Sequence, residues 1–139
     1  MINLHRYLAV IIMIALFPLA ISARVQQNDS LGNKLLQDVR TTFNNNNEQA
    51  FYKAIGNYRD YLLKNDDTSA FYLSWKNEVL YDVNHNHFYR AMRKTMAMQK
   101  DMERRGANRE FYKTTHLRGI IYSLRGNIPL AHQYFEKAL

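Results

Sequence analysis

Five short polar breaks divide residues 31–139 into six segments, and no other feature of the chain constrains its fold as much. The breaks are Asn44-Asn45-Asn46-Asn47, Asn65-Asp66-Asp67-Thr68, Asn84-His85-Asn86, Gly106-Ala107-Asn108 and Gly126-Asn127. Asn, Asp and Gly tolerate the backbone angles of tight turns, and Asn and Asp side chains accept hydrogen bonds from a following first helical turn. Between the breaks apolar residues recur at three- and four-residue intervals, the spacing of one helix face, and the alternation of a half-buried strand is nearly absent. With only two Pro and five Gly in 139 residues, the composition also favours helix.

The expected helices are Leu31 to Phe43, Glu48 to about Lys64, Ser69 to Val83, about His87 to Arg105, Arg109 to Arg125 and Ile128 to Leu139. Ser30 is the expected cap of the first helix, Asn47 of the second, Asn108 of the fifth and Asn127 of the sixth. Gly106 reads as a C-terminal stop, and Pro129 fits the first turn of the last helix, where its missing N–H costs little. The expected apolar faces are Leu35, Leu36, Val39 and Phe43 on the first helix, and Ala50, Phe51, Ala54, Ile55, Tyr58, Tyr61 and Leu62 on the second. Phe71, Tyr72, Trp75, Val79 and Leu80 follow on the third, and Phe88, Ala91, Met92 and Met96 on the fourth, with Met98 and Met102 as further candidates.

An internal repeat runs through these helices. Phe51-Tyr52-Lys53-Ala54-Ile55 and Phe88-Tyr89-Arg90-Ala91-Met92 are near copies 37 residues apart, and Ala131 follows Ala91 by 40. Three helix pairs at such spacings account for the chain after its N-terminal segment. In the last pair, Gly119, Tyr122, Gly126, Ala131, Phe135 and Ala138 stand at the offsets of a small residue, an aromatic, a turn glycine, Ala, an aromatic and Ala. This stretch, Gly119 to Leu139, resembles the tetratricopeptide repeat, a 34-residue helix–turn–helix. The resemblance covers about one sixth of the chain, and Thr115 and Arg118 stand where the family carries larger apolar residues. It implies an all-α fold of antiparallel helix–turn–helix repeats, a tetratricopeptide-like α-solenoid of about six helices. It also implies a binding role toward a protein or peptide, while leaving the ligand open because solenoids share cores and differ in their binding faces.

Residues 1–23 read as a targeting segment. Arg6 and the N-terminal amine precede the apolar run Leu8 to Ile21, interrupted by Pro18, and Ala20 to Ala23 offers small residues to a signal peptidase. The run is short for a membrane span of about 20 residues, so a cleaved signal is expected, with an uncleaved anchor as the other reading. Residues 24–30 form a flexible lead-in, with Asn28-Asp29-Ser30 matching a glycosylation acceptor, and 31–139 form the repeat domain. The last helix stops at the twenty-eighth position of a 34-residue unit if Gly119 is the eighth. A C-terminally truncated array is therefore expected, with Tyr134, Ala138 and Leu139 at an open edge available for self-association. Tetratricopeptide arrays behind a signal sequence resemble the extracytoplasmic sensor halves of bacterial two-component kinases. The alternative is a stand-alone scaffold or assembly factor of the cell envelope. Either reading places the chain outside the cytoplasm, periplasmic or membrane-associated.

Little in the chain points to catalytic or metal chemistry. Without cysteine there is no disulfide, thiolate metal site or cysteine nucleophile. His85 and His87 lack zinc-ligand spacing, no phosphate loop or nucleophile elbow occurs, and Asp66-Asp67 is explained by a helix start. No catalytic residue, cofactor or metal is expected. The formal charge of +7 would suggest nucleic acid, but an exported chain seldom meets it. The expected partner is a protein or peptide, with a membrane only if the N-terminal segment is retained or a downstream span exists. Between Arg90 and Arg125 ten Lys or Arg face three Asp or Glu, and Arg90, Arg93, Lys94, Lys100 and Arg104 follow helical spacing along one side. This basic stripe reads as a solvated helix face, with an electrostatic docking surface as the other reading. The candidate partner contacts are Tyr72, Trp75, Arg90, Arg93, Lys94 and His116.

Overall fold

The computed structural model describes residues 29–45 and 47–139. Residues 1–23, read above as a targeting segment, the expected lead-in up to residue 28, and Asn46 lie outside the described residues. Those described form six α-helices and no strand: α1 Ser30–Asn44, α2 Glu48–Lys64, α3 Thr68–Asn84, α4 Phe88–Arg105, α5 Phe111–Leu124 and α6 Ile128–Glu136. A short 3-10 turn, Asn108–Glu110, precedes α5. Each helix packs on the next in sequence, and α3 also touches α5, the nearest-neighbour pattern of a helical repeat. No helix among the described residues is long and apolar enough to cross a membrane.

The turns set the repeat. Asp66 and Asn86, with φ of 56° and 62°, and Gly106 and Gly126, with φ of 66° and 81°, each adopt the left-handed conformation. At each, two backbone bonds close the preceding helix: the left-handed residue donates to the carbonyl three back, and its successor donates to the carbonyl five back, as Asp67 N does to Leu62 O and Asn127 N to Tyr122 O. The four positions are evenly spaced, so the step from Asp66 to Asn86 is one helix with its turn, and the step from Asp66 to Gly106 is a helix pair. That longer step, not the spacing of the near copies, is the period of the fold. Phe51, Ala91 and Ala131 are the equivalent positions, each fourth after the cap residue at 47, 87 or 127, and all are buried. The matching pentapeptides at 51 and 88 are out of that register by three positions.

Local chemistry explains most boundaries. Asp67, Asn47 and Asn127 accept the amides of Ala70, Ala50 and Leu130 at 3.0, 3.0 and 3.2 Å. Asp29, not Ser30, caps α1 by accepting the Gly32 amide at 3.1 Å, and Ser30 lies inside the helix. The carboxylate is the better acceptor for that amide. Asn108 does not cap α5. Glu110 occupies its cap position without a side-chain hydrogen bond, and a tight 3-10 turn that starts after Ala107 leads into the helix instead. Because Asp and Asn bear a Cβ that disfavours left-handed angles, Asp66→Gly and Asn86→Gly should each raise stability by about 0.5–1 kcal/mol, and Gly106→Ala should lower it by about 1 kcal/mol. Thermal melts of the three variants check this.

Helix α3 is the centre. Phe71, Tyr72, Val79, Leu80, Tyr81 and Val83 are buried, but so are Ser74, Asn77, Glu78 and Asp82, so the helix is covered nearly all round. One core joins Leu62, Phe71, Tyr72, Leu80, Met98, Met102, Leu117 and Ile121. A second gathers Val39, Phe51, Ile55 and Tyr81, with the Phe51 and Tyr81 rings stacked at 3.9 Å. On α4 the methionines divide against expectation. Met98 and Met102 are fully buried, whereas Met96 is 56% exposed, because Ala91, Thr95, Met98 and Met102 form the face turned to the core.

In the last pair Gly119 lets α5 and α6 approach closely. A Cβ built on Gly119 would lie 2.5 Å from Phe135 Cε1, so the Phe135 ring occupies the space a side chain at 119 would need. Tyr134 stacks on Tyr122 at 5.4 Å and lies within 5.8 and 5.5 Å of the Arg118 and Lys137 cations.

Candidate functional site

The basic residues of α4 do not share one surface. Arg90 and Lys94 sit about 80° round the helix from Arg93, Lys100 and Arg104, and that rotation decides their roles. Arg90 donates through Nε to Asp82 at 2.7 Å and through Nη1 to Glu48 at 2.6 Å. Lys94 Nζ lies 2.7 Å from Glu78 and 2.9 Å from Asp82. Arg59 of α2 completes the other side of Glu78 and lies over the Trp75 ring. Three acids and three bases from α2, α3 and α4 thus neutralise one another. Asp82, whose side chain is 0% exposed, is the hub.

Tyr52 seals this network. Its hydroxyl donates to Asp82, and the Lys94 ammonium lies 4.0 Å from its ring centre. Glu48 is held below the usual carboxylate range chiefly by the Arg90 hydrogen bond. A second, smaller cluster joins Tyr72 to Asp101 at 3.0 Å, with Arg104 and Arg105 on the same carboxylate. Burial opposes the ionisation of Asp101, but the bonds from Arg104, Arg105 and Tyr72 outweigh it and lower its pKa.

These tyrosines make the fold sensitive to alkali. Burial, then the bond to Asp101, pushes Tyr72 up to about 12, and burial and Asp82 raise Tyr52 as well. An unfolded tyrosine ionises near 10. Between about pH 10 and 12 the folded chain therefore holds protons that the unfolded chain has lost, and stability falls as pH rises through that window. Tyrosinate absorbance should rise in two steps, the later coinciding with loss of helical signal. In Tyr72→Phe the later step should shrink.

Of the residues expected to meet a partner, Arg93 alone lies fully at the surface. Tyr72 is 0% exposed and belongs to the core, which removes it from any groove. Its hydroxyl is satisfied internally by Asp101. Trp75 is partly buried against Tyr72, Phe71 and Arg59. His116 is half-buried beside Phe135, and burial, then Lys76, lowers its pKa. Arg90 and Lys94 are committed to α3 and α2.

What remains open is the outer face of α4. Tyr89, Arg93, Met96, Lys100, Glu103 and Arg104 are all exposed and line up along that face, with Tyr89 at 80%. Among the described residues Arg93 and Lys100 have no acidic partner, whereas Arg104 pairs with Asp101 and Glu103 accepts from Gln99 at 3.0 Å. The sequence reading missed Tyr89 and assigned Met96 to the core. The signal available was the seven-residue spacing of 89 and 96, parallel to that of 93 and 100.

No group of three or more His, Asp or Glu among the described residues is arranged to hold a metal ion. Comparison with protein-family models, with curated proteins and with solved structures returned no match. The class that the fold defines is an all-α protein of packed antiparallel helices whose contacts fit a helical repeat.

Proposed function

We propose that this chain is an exported, tetratricopeptide-like helical-repeat module that binds a protein or peptide partner and catalyses no reaction. The observation that carries the reading is the outer face of α4. There, two bases without acidic partners alternate with two exposed apolar side chains, while the neighbouring bases are neutralised inside. An exposed apolar and charged stripe on a rigid helix is suited to contact rather than chemistry. The tight Gly119–Phe135 contact supports the tetratricopeptide-like reading of the last pair. The helix pair, measured from Asp66 to Gly106, is longer than that family's 34-residue unit. The pattern of Arg6, Leu8 to Ile21 and Ala20 to Ala23 supports export.

Cross-linking tests it. A photoreactive residue placed at Met96, in the cells that make the protein, should give a discrete protein adduct. The same residue at Asn57, on the exposed side of α2, should not. No adduct at Met96, or the same adducts from both positions, would overturn the reading.

A further inference from the structure

We infer that the partner segment lying on α4 is an acidic helix, an inference that rests on the binding role proposed above. From His85 to Leu139 there are eleven Lys or Arg against four Asp or Glu, whereas residues 29–84 hold six against eight. Arg90 and Lys94 are spent on acids of α2 and α3, and Arg104, Arg105 and Lys113 on acids of their own segments. Arg109, Arg118, Arg125 and Lys137 lie on α5, α6 or the turns beside them. On α4 itself Arg93 and Lys100 are left facing solvent, flanked by Tyr89 and Met96. The complementary surface carries carboxylates beside apolar side chains.

The spacing selects the partner's secondary structure. Tyr89 and Met96 are seven residues apart, and so are Arg93 and Lys100, a separation of about 10.5 Å along the helix. A partner helix repeats its facing side chains at that same heptad interval, so one carboxylate and one apolar residue per heptad meet both pairs in register. An extended strand presents same-side residues about every 6.8 Å, which does not match that separation. The stripe from Tyr89 to Arg104 spans about 22 Å, room for two heptads. Glu103 is its single acid, and it is engaged by Gln99.

The test uses the full chain in nonionic detergent and a dye-labelled helical peptide of three heptads, each with one Leu flanked by Glu. Fluorescence anisotropy should show saturable binding that weakens as salt rises. The double reversal Arg93→Glu with Lys100→Glu should weaken it on the order of tenfold or more, and Met96→Asn should weaken it several-fold. Lys53→Glu on α2 should leave it unchanged. Equal binding by the reversed chain, or by a peptide with Lys in place of Glu, would overturn the inference. So would equal binding of a proline-rich acidic peptide of the same charge, or binding to phosphatidylglycerol vesicles through Arg93 and Lys100 with no peptide binding. A discrete Met96 adduct without peptide binding would remove the acidic helix alone. Absence of the adduct would remove the binding role itself.

Discussion

Asp82→Ala should lower the stability of this protein by about 3–5 kcal/mol, a fall in melting temperature on the order of 10–20 °C for a domain of this size. Its side chain is fully buried, accepts from Tyr52 and Arg90, and lies 2.9 Å from Lys94. Removing it leaves two cations and a hydroxyl facing each other at the junction of three helices. Breaking one partner out of a buried charged network costs far more than the network's net contribution. Tyr52→Phe, which deletes one hydrogen bond and keeps the ring under Lys94, should cost about 1–2 kcal/mol. The two variants together should cost less than the sum of their separate effects, because they share one partner. A thermal shift of under about 3 °C for Asp82→Ala would show that the cations relax into solvent and that Asp82 is not the hub.

Gly119→Val should loosen the last helix pair. Its side chain enters the space that the Phe135 ring fills, and overpacking of this kind costs about 1–3 kcal/mol. Truncating the intruded ring should restore part of the loss. In Gly119→Val with Phe135→Ala, the double variant should be more stable than the sum of the two single effects predicts. Ile121 packs into the larger core from the same helix, so loosening of this pair should spread into α5 and reduce hydrogen-exchange protection there before it reaches α2. A Gly119→Val protein as stable as the parent would show that α5 and α6 are free to separate.

The six helices were legible because most boundaries are written locally, in a cap or turn residue beside an apolar period. The repeat length was legible in part. The spacing of Ala91 and Ala131 is the period of the fold, but the near copies at 51 and 88 pointed to a shorter one, because the register is set by backbone turns whose left-handed position is Asp66, Asn86, Gly106 and Gly126 in succession. Three residue types filling one conformational role hide it from a comparison of letters. The site was half legible. Arg93 and Lys100 were marked by their helical spacing, yet the same spacing marked Arg90 and Lys94, whose partners Glu48, Glu78 and Asp82 lie on other helices, α2 and α3. The available clue was on α3. Glu78 and Asp82 lie one helical turn apart among apolar neighbours, and a carboxylate pair buried on one helix face requires cations from the helix packed against it. Tyr72 was drawn into the candidate site because aromatics serve both cores and grooves, and its neighbours Trp75, Phe71 and Leu80 placed it in the core.

The division of the α4 bases into an inner structural pair and an outer solvent-facing pair is the central claim, and two double charge reversals compared by thermal melting test it most directly. Arg90→Glu with Lys94→Glu sets two more carboxylates against Glu48, Glu78 and Asp82 and should unfold the chain or lower its melting temperature by well over about 10 °C. Arg93→Glu with Lys100→Glu, on the same helix but turned to solvent, should leave the melting temperature within about 2 °C of the parent. Two reversals that melt alike, whether both unchanged or both destabilised, would contradict the account.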